Sequence, residues 1–283
     1  MSLALRAAAK VNLGLEVTGR RPDGYHELRS ILVNVDIIDT LILEPGVGSG
    51  TSTGIIAPDR ELAWRALSAL EELAGRGLGL VPRLRKQIPV GAGLGGGSAD
   101  AAAVLRAAPR LGIEANPERL AALALMLGAD VPFQLTGGAA LVGGVGEAIE
   151  PLPYREIWLA VAFGRVHIST AAVFAELRPE EWSSGTLVTA AADLWRRDSP
   201  DLLRALEELP NALWGPASRL HAGVLEDQAM ALEQGGWLPR LTGSGSAMYQ
   251  VCRDQSEARR LALSAATLGF QAWACRTQPA PIE

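Results

Sequence analysis

Seven consecutive positions, Gly91-Ala-Gly-Leu-Gly-Gly-Gly97, run straight into Ser98 and an alanine-rich stretch reaching Leu111. A backbone this bare can approach a ligand closely, and the N–H groups of a helix start, with the helix dipole behind them, favour an anion there. Phosphate is the ligand that suits such a loop. Two charged residues elsewhere stand where charge is unusual. Lys10 sits mid-strand among Ala7, Ala8, Ala9 and Val11, and Asp130 follows a helix end in the turn Gly128-Ala-Asp-Val-Pro132. A carboxylate held in a turn can take a proton from a bound hydroxyl, and a nearby ammonium can stabilise the charge that develops. The plainer alternatives are an aspartate that only makes a turn and a lysine that guards an edge strand.

Glycine loops bind phosphate in several folds. Gly91, Gly93 and Gly96 satisfy G-x-G-x-x-G, and Glu114 lies near the distance at which a dinucleotide fold places its ribose acid. The preceding segment argues against that fold. Arg83, Arg85, Lys86 and Gln87 do not suit a central parallel strand buried on both faces, and Pro89 stands just before the loop. No Gly-Lys-Ser/Thr follows, which excludes a Walker A loop.

The longer string Pro89-Val-Gly-Ala-Gly-Leu-Gly-Gly-Gly-Ser98, entering an alanine-rich helix, resembles the signature loop of the GHMP kinases. The resemblance continues in Ala9 to Leu13, in Gly19 to Leu28, in Gly128 to Phe133, in Gly137-Gly138, in Gly144 to Glu147 and in Leu241 to Ala247. The Asp23-Gly-Tyr-His26 block is similar to the branch whose acceptor is a cytidine diphosphate derivative of methylerythritol. Galactokinases and mevalonate kinases lack it. Three departures stand out: Ala99 where a second serine is common, Glu61 where many members have asparagine, and Asn211-Ala212 in place of Asn-Asp.

The resemblance implies an α+β fold of two domains. Residues 1–152 would resemble domain 2 of ribosomal protein S5, and residues 153–283 would be ferredoxin-like, with ATP and acceptor meeting between them. It implies ATP with Mg2+, and transfer of the γ-phosphoryl group to a small-molecule alcohol, the 2-hydroxyl of the methylerythritol unit. Another alcohol, homoserine or a mevalonate derivative, is the alternative. Lys10 and Asp130 become the catalytic pair. Pro89, Val90, Gly91, Ala92, Gly93, Leu94, Gly95, Gly96, Gly97, Ser98 and Ala99 become nucleotide contacts. Asn12, Tyr25, His26 and Thr170 become acceptor contacts, with His167 and Ser169 near the same pocket. Thr242 to Ser246 resembles a third glycine motif flanking the reaction centre. No pair of metal ligands is legible beyond the hydroxyl of Ser98.

The elements that would position these groups follow from periodicity. Leu3 to Val17 and Arg29 to Leu43 read as strands around a charged turn at Gly19 to Gly24. A helix is expected from Asp59, as N-cap, to Ala74, and another from Leu120 to Leu127. Val81 to Val90 reads as the strand before the loop, with Ser98 capping the helix after it. Ile157 to Phe163, Ala247 to Cys252 and Gln271 to Arg276 read as strands. Ala171 to Leu177, Leu202 to Leu209 and Ser256 to Leu268 read as helices. Pro151 and Pro153 suggest a boundary, and the lack of a regular βαβ rhythm favours α+β.

Composition closes off other classes. With 283 residues and 48% hydrophobic content the chain can bury a substantial core. A net charge of −5 and a pI near 5.4 give no global basic field, which argues against DNA or anionic lipid as a partner. Cys252 and Cys275 match no metal-ligand spacing, and no uncharged run reaches the roughly 18 residues of a membrane span. A soluble cytoplasmic protein is the expectation.

Overall fold

A computed structural model describes residues 2–46, 62–164 and 166–279. The expected N-cap Asp59, the departure at Glu61 and most of the Gly/Ser/Thr stretch after Gly46 lie outside the described residues. The fold starts with a long hairpin, β1 (Leu3–Arg20) and β2 (His26–Pro45), closed from Arg20↔His26 to Leu3↔Leu43. Its register slips between Ala8 and Ala9, Asn12 and Gly14, and Val17 and Gly19. Such irregularities bend a strand and re-aim its side chains. Every residue from Ala7 to Val17 is buried, so β1 is covered on both faces and carries no clean apolar–polar alternation.

Helix α1 (Leu62–Ala74) leads to β3 (Leu80–Arg85), which pairs with the outer end of β2. The strand stops at Arg85 instead of running on to Val90, and the remaining residues approach the glycine loop as irregular backbone. Helix α2 (Gly96–Arg106) begins three residues earlier than a cap at Ser98 would place it. Its N-cap is Gly95, at φ +67°, so Ser98 lies in the first turn and does not cap it. The α2 alanines 99, 101, 102 and 103 are buried, and side chains this small let the helix lie close on its neighbours.

Helices α3 (Pro117–Leu127) and α4 (Val131–Thr136) precede a hairpin, β4 (Ala139–Gly143) and β5 (Ala148–Leu152). The glycine cluster from Gly137 to Gly146 thus flanks and closes a strand pair that its composition concealed. Strand β4 pairs with β2, completing a five-stranded antiparallel sheet.

The second half begins with β6 (Trp158–Phe163) and α5 (Thr170–Ala175). It continues through α6 (Thr186–Arg196), α7 (Leu202–Glu208), α8 (Trp214–Leu220) and α9 (Val224–Gln234). Then follow β7 (Arg240–Leu241), β8 (Met248–Cys252), α10 (Gln255–Thr267) and β9 (Gln271–Arg276). The strands form an antiparallel sheet ordered β7-β8-β6-β9. Two antiparallel sheets with helices packed against them make the fold α+β. One apolar cluster joins the two halves: Leu13 and Val33 of the first sheet belong to it together with Val161, Tyr249 and Cys275 of the second. Beyond β9, Thr277 bridges to Val35, and Gln278 donates to the Asn34 carbonyl, so the segment just after β9 is tied back to β2. Cys252 and Cys275 are free and buried. No helix among the described residues is long and apolar enough to cross a membrane.

Candidate active site

Lys10 projects from the middle of β1 into a cleft of about 890 Å³. It is 4% exposed, and its backbone N–H donates to the Leu94 carbonyl at 2.9 Å, which ties β1 to the glycine loop. Room for its long side chain comes from glycines on two sides. A Cβ at Gly95 would stand 2.8 Å from Lys10 Cγ, and one at Gly243 would stand 3.1 Å from Nζ. The ammonium donates to Asn12 Oδ1 at 2.5 Å and lies 3.6 Å from Asp130 Oδ2.

Asp130 is the N-cap residue of α4, yet its side chain makes no cap hydrogen bond and is left to face the cleft. Helix α4 is held in place by Gln134, whose Oε1 accepts from Asn34 Nδ2 at 2.9 Å, while Asn34 Oδ1 accepts from the Gly138 N–H. Strand β2 therefore sets the height of the aspartate over β1.

Asn12 occupies the same face as Lys10, two residues on. Its side chain accepts from Lys10 and donates to Ser30 Oγ at 2.8 Å, and Ser30 in turn donates to the Gly14 carbonyl. In this geometry Asn12 holds the lysine.

Every position from Pro89 to Ser98 lines the cleft. Ala99 does not: it is buried behind the loop, with its N–H on the Gly95 carbonyl. Three loop glycines, Gly91, Gly93 and Gly95, have positive φ, and the third glycine motif packs directly on the loop. A Cβ at Gly93 would stand 2.4 Å from the Thr242 carbonyl oxygen, and Ala247 donates to the Ala92 carbonyl. That motif is fixed in turn by Asn211, which donates to the carbonyls of Leu241 and Gly243 at 2.7 and 2.9 Å.

A charged cluster braces the loop from the other side. Lys86, next to the segment that enters it, pairs with Asp39 of β2 and Asp100 of α2, both essentially inaccessible to solvent. Asp39 also accepts the N–H groups of Gln87 and Ile88. Burial by itself would lower the Lys86 pKa, but attraction to Asp100 and Asp39 outweighs it and holds the ammonium above the ordinary lysine value. Sequence reasoning used Lys86 only as a sign that the strand was not central. Its proximity to two aspartates distant in sequence has no local signature.

At the other end of the cleft, Tyr25 is 64% exposed and His26 stacks on Phe174 of α5 with ring centroids 5.6 Å apart. Trp182 meets the His26 ring edge-on at 6.5 Å. Burial, and secondarily the positive charge of Arg20, lower the His26 pKa below its ordinary value. Thr170, at the start of α5, lines the cleft and shares a 2.8 Å hydrogen bond with Ser244. Phe174 escaped sequence reasoning, although its position one helical turn after Thr170 was the available signal. Ser169 caps α5. His167 is placed behind the loop, where its Nδ1 lies 2.7 Å from a Cβ built on Gly91, and it does not line the cleft.

Together the cleft brings along one wall the glycine loop, an ammonium–carboxylate pair beside it, and a group of aromatic rings beyond. No group of three or more His, Cys, Asp or Glu side chains suited to a metal ion occurs among the described residues.

Comparison with known proteins agrees on the family. Residues 61–138 match the GHMP kinases N terminal domain. A 4-diphosphocytidyl-2-C-methyl-D-erythritol kinase of Symbiobacterium thermophilum is 37% identical over 97% of this chain and 99% of its own. The enzyme of that name from Thermus thermophilus is 40% identical over 95% of this chain and 94% of its own. A crystal structure of 4-(cytidine 5'-diphospho)-2C-methyl-D-erythritol kinase superposes with a TM-score of 0.81 at 36% identity, over 100% of both chains. Homoserine kinase from Cytophaga hutchinsonii, at 18% identity and a TM-score of 0.72 over 99% of this chain and 95% of its own, shares the fold.

Proposed function

The chain belongs to the 4-diphosphocytidyl-2-C-methyl-D-erythritol kinase family of the GHMP kinases, and we propose that it transfers the γ-phosphoryl group of ATP to the 2-hydroxyl of that cytidine diphosphate derivative. The observation that carries the reading is the Lys10–Asp130 pair, 3.6 Å apart, opening onto the cleft beside the glycine loop.

The loop N–H groups and the start of α2 hold the nucleotide phosphates. The acceptor hydroxyl lies between Asp130 and Lys10. Its oxygen attacks the γ-phosphorus in line, and the bond to the β,γ-bridging oxygen breaks, with that electron pair leaving on ADP. The hydroxyl proton passes to the Asp130 carboxylate. Lys10 offsets the charge shared among the hydroxyl oxygen and the equatorial phosphoryl oxygens. A unit charge about 4 Å away in an effective dielectric of about 20 is worth roughly 4 kcal/mol, which is the scale of a large catalytic term.

Mg2+ fits as an ion carried chiefly by the nucleotide, since such ions keep most of their shell as water and phosphate oxygens and need few protein ligands. The Ser98 hydroxyl, in the first turn of α2 and on the cleft wall, is the group here that would meet it. When bound, it would neutralise charge on the β- and γ-phosphates.

The aromatic slot supports the cytidine end. Tyr25, Phe174 and His26 line the cleft together, and His26 is held by Phe174 and Trp182, a set of rings suited to stacking on and hydrogen-bonding a pyrimidine. Thr170 stands in the same wall. We take residues 1–152 and 153–283 as the two domains whose walls face each other across the substrates.

The test is ADP release by the purified protein with magnesium-ATP, offered in parallel 4-diphosphocytidyl-2-C-methyl-D-erythritol, homoserine and mevalonate. Turnover with the cytidine compound alone is the expected result. Turnover with one of the other alcohols would overturn the substrate assignment.

A further inference from the structure

Among the described residues, three side-chain cations other than histidine line the cleft: Lys10, Lys86 and Arg20. Two are committed to carboxylates, Lys10 to Asp130 and Lys86 to Asp39 and Asp100. Arg20 has no carboxylate partner among the described residues. Its neighbour Arg21 makes the contrast plain, for that guanidinium turns to Asp23 at 3.3 Å and Glu147 at 3.5 Å and does not line the cleft. Arg20 spends one donor, Nε, on the Gly24 carbonyl at 3.2 Å. That bond folds the side chain over the turn that carries Tyr25 and His26, and among the described residues the four N–H bonds of the two terminal nitrogens have no partner.

The acceptor named above carries a diphosphate between its cytidine and its polyol, and two bridging phosphates bring about two negative charges into the cleft. An arginine fork is the side chain whose geometry matches phosphate oxygens in pairs. We propose that Arg20 binds the diphosphate of the acceptor and is the specificity residue that separates a cytidine diphosphate derivative from an uncharged cytidine compound. This rests on the substrate reading above. The pairing of Arg20 with His26 at the turn end of the hairpin puts it beside the aromatic slot, ten residues along β1 from Lys10, where the strand meets the glycine loop. The effect of its charge on His26 agrees with that proximity.

The experiment compares wild type with Arg20→Gln and Arg20→Lys. Steady-state kinetics with 4-diphosphocytidyl-2-C-methyl-D-erythritol and ATP varied separately are paired with calorimetric titration of cytidine and of cytidine diphosphate into enzyme saturated with a non-hydrolysable ATP analogue. Charge-assisted contacts of this kind support a change on the order of tenfold or more. Arg20→Gln should raise the acceptor KM by about that factor while kcat and the ATP KM stay within about twofold. It should erase most of the advantage of cytidine diphosphate over cytidine, and Arg20→Lys should restore part of it. The wild-type advantage should shrink as salt is added. An unchanged acceptor KM in Arg20→Gln, or equal increases in both KM values, would overturn the proposal. Failure of the wild type to turn over the cytidine compound would instead overturn the substrate reading, because that measurement involves no variant.

Discussion

The ammonium of Lys10 stands 3.6 Å from Asp130 Oδ2 and is pinned from below by Asn12 Oδ1 at 2.5 Å. Strand β1 supplies the cation and its holder, and α4 supplies the carboxylate. A group that accepts a proton in the transition state contributes about 10² to 10⁴ in rate. Asp130→Asn should therefore lower kcat by a factor in that range with the ATP KM little changed. Lys10→Met should lower kcat by at least about 10². Steady-state kinetics check both, and circular dichroism checks that the fold persists.

Gly93 gives the sharpest steric prediction. Its φ is +79°, and a Cβ would fall 2.4 Å from the Thr242 carbonyl oxygen, a backbone atom that cannot rotate away. Gly93→Ala should separate the phosphate loop from the third glycine motif and abolish most activity. It should also lower the melting temperature by several degrees, since a forced backbone shift costs more than the roughly 1 kcal/mol that alanine gains in the unfolded chain.

Lys86 holds two carboxylates that water hardly reaches. Lys86→Met leaves Asp39 and Asp100 buried without their shared ammonium, a change that costs about 3 kcal/mol or more. Urea unfolding should show the midpoint falling. The double variant Lys86→Met with Asp100→Asn should recover part of the loss, because the two sites are coupled.

His26 should titrate below its ordinary value, since burial and then Arg20 disfavour its charged form. The folded state binds this proton less readily than the unfolded chain. Stability from the neutral ring is therefore present above about pH 6.5 and is lost as the pH falls through the folded-state value. Proton NMR of the imidazole should place the His26 midpoint below that of a model histidine, and Arg20→Gln should move it upward. A midpoint at or above the ordinary value would contradict the arrangement described.

Much of the site was legible because local chemistry marked it. Five glycines before an alanine-rich helix and a lysine among alanines stand out locally, whereas the aspartate of the Gly-Ala-Asp-Val-Pro turn gains its role from the resemblance to the GHMP kinases. The structure gathers all three along one cleft. Other parts depend on long-range packing. Strand β1 is covered on both faces, so its period-two signal is blurred and its full length to Arg20 was not seen. Hairpin β4–β5 is short, with glycines at its ends, and the sequence reading marked only the glycines there. Ser98 looked like a cap, yet α2 starts earlier because Gly95 can take a left-handed conformation. Phe174, Lys86 and Arg20 gain their meaning only from what the fold sets beside them: a histidine, two aspartates and an otherwise neutral stretch of cleft wall.

The most direct measurement of the central claim is phosphorus NMR of a single reaction mixture containing the protein, magnesium-ATP and 4-diphosphocytidyl-2-C-methyl-D-erythritol. A new phosphomonoester signal should grow in step with ADP while the acceptor's diphosphate signals persist, and Asp130→Asn should produce neither. ATP hydrolysis to free phosphate without a phosphomonoester, or wild-type product formation by Asp130→Asn, would contradict the account.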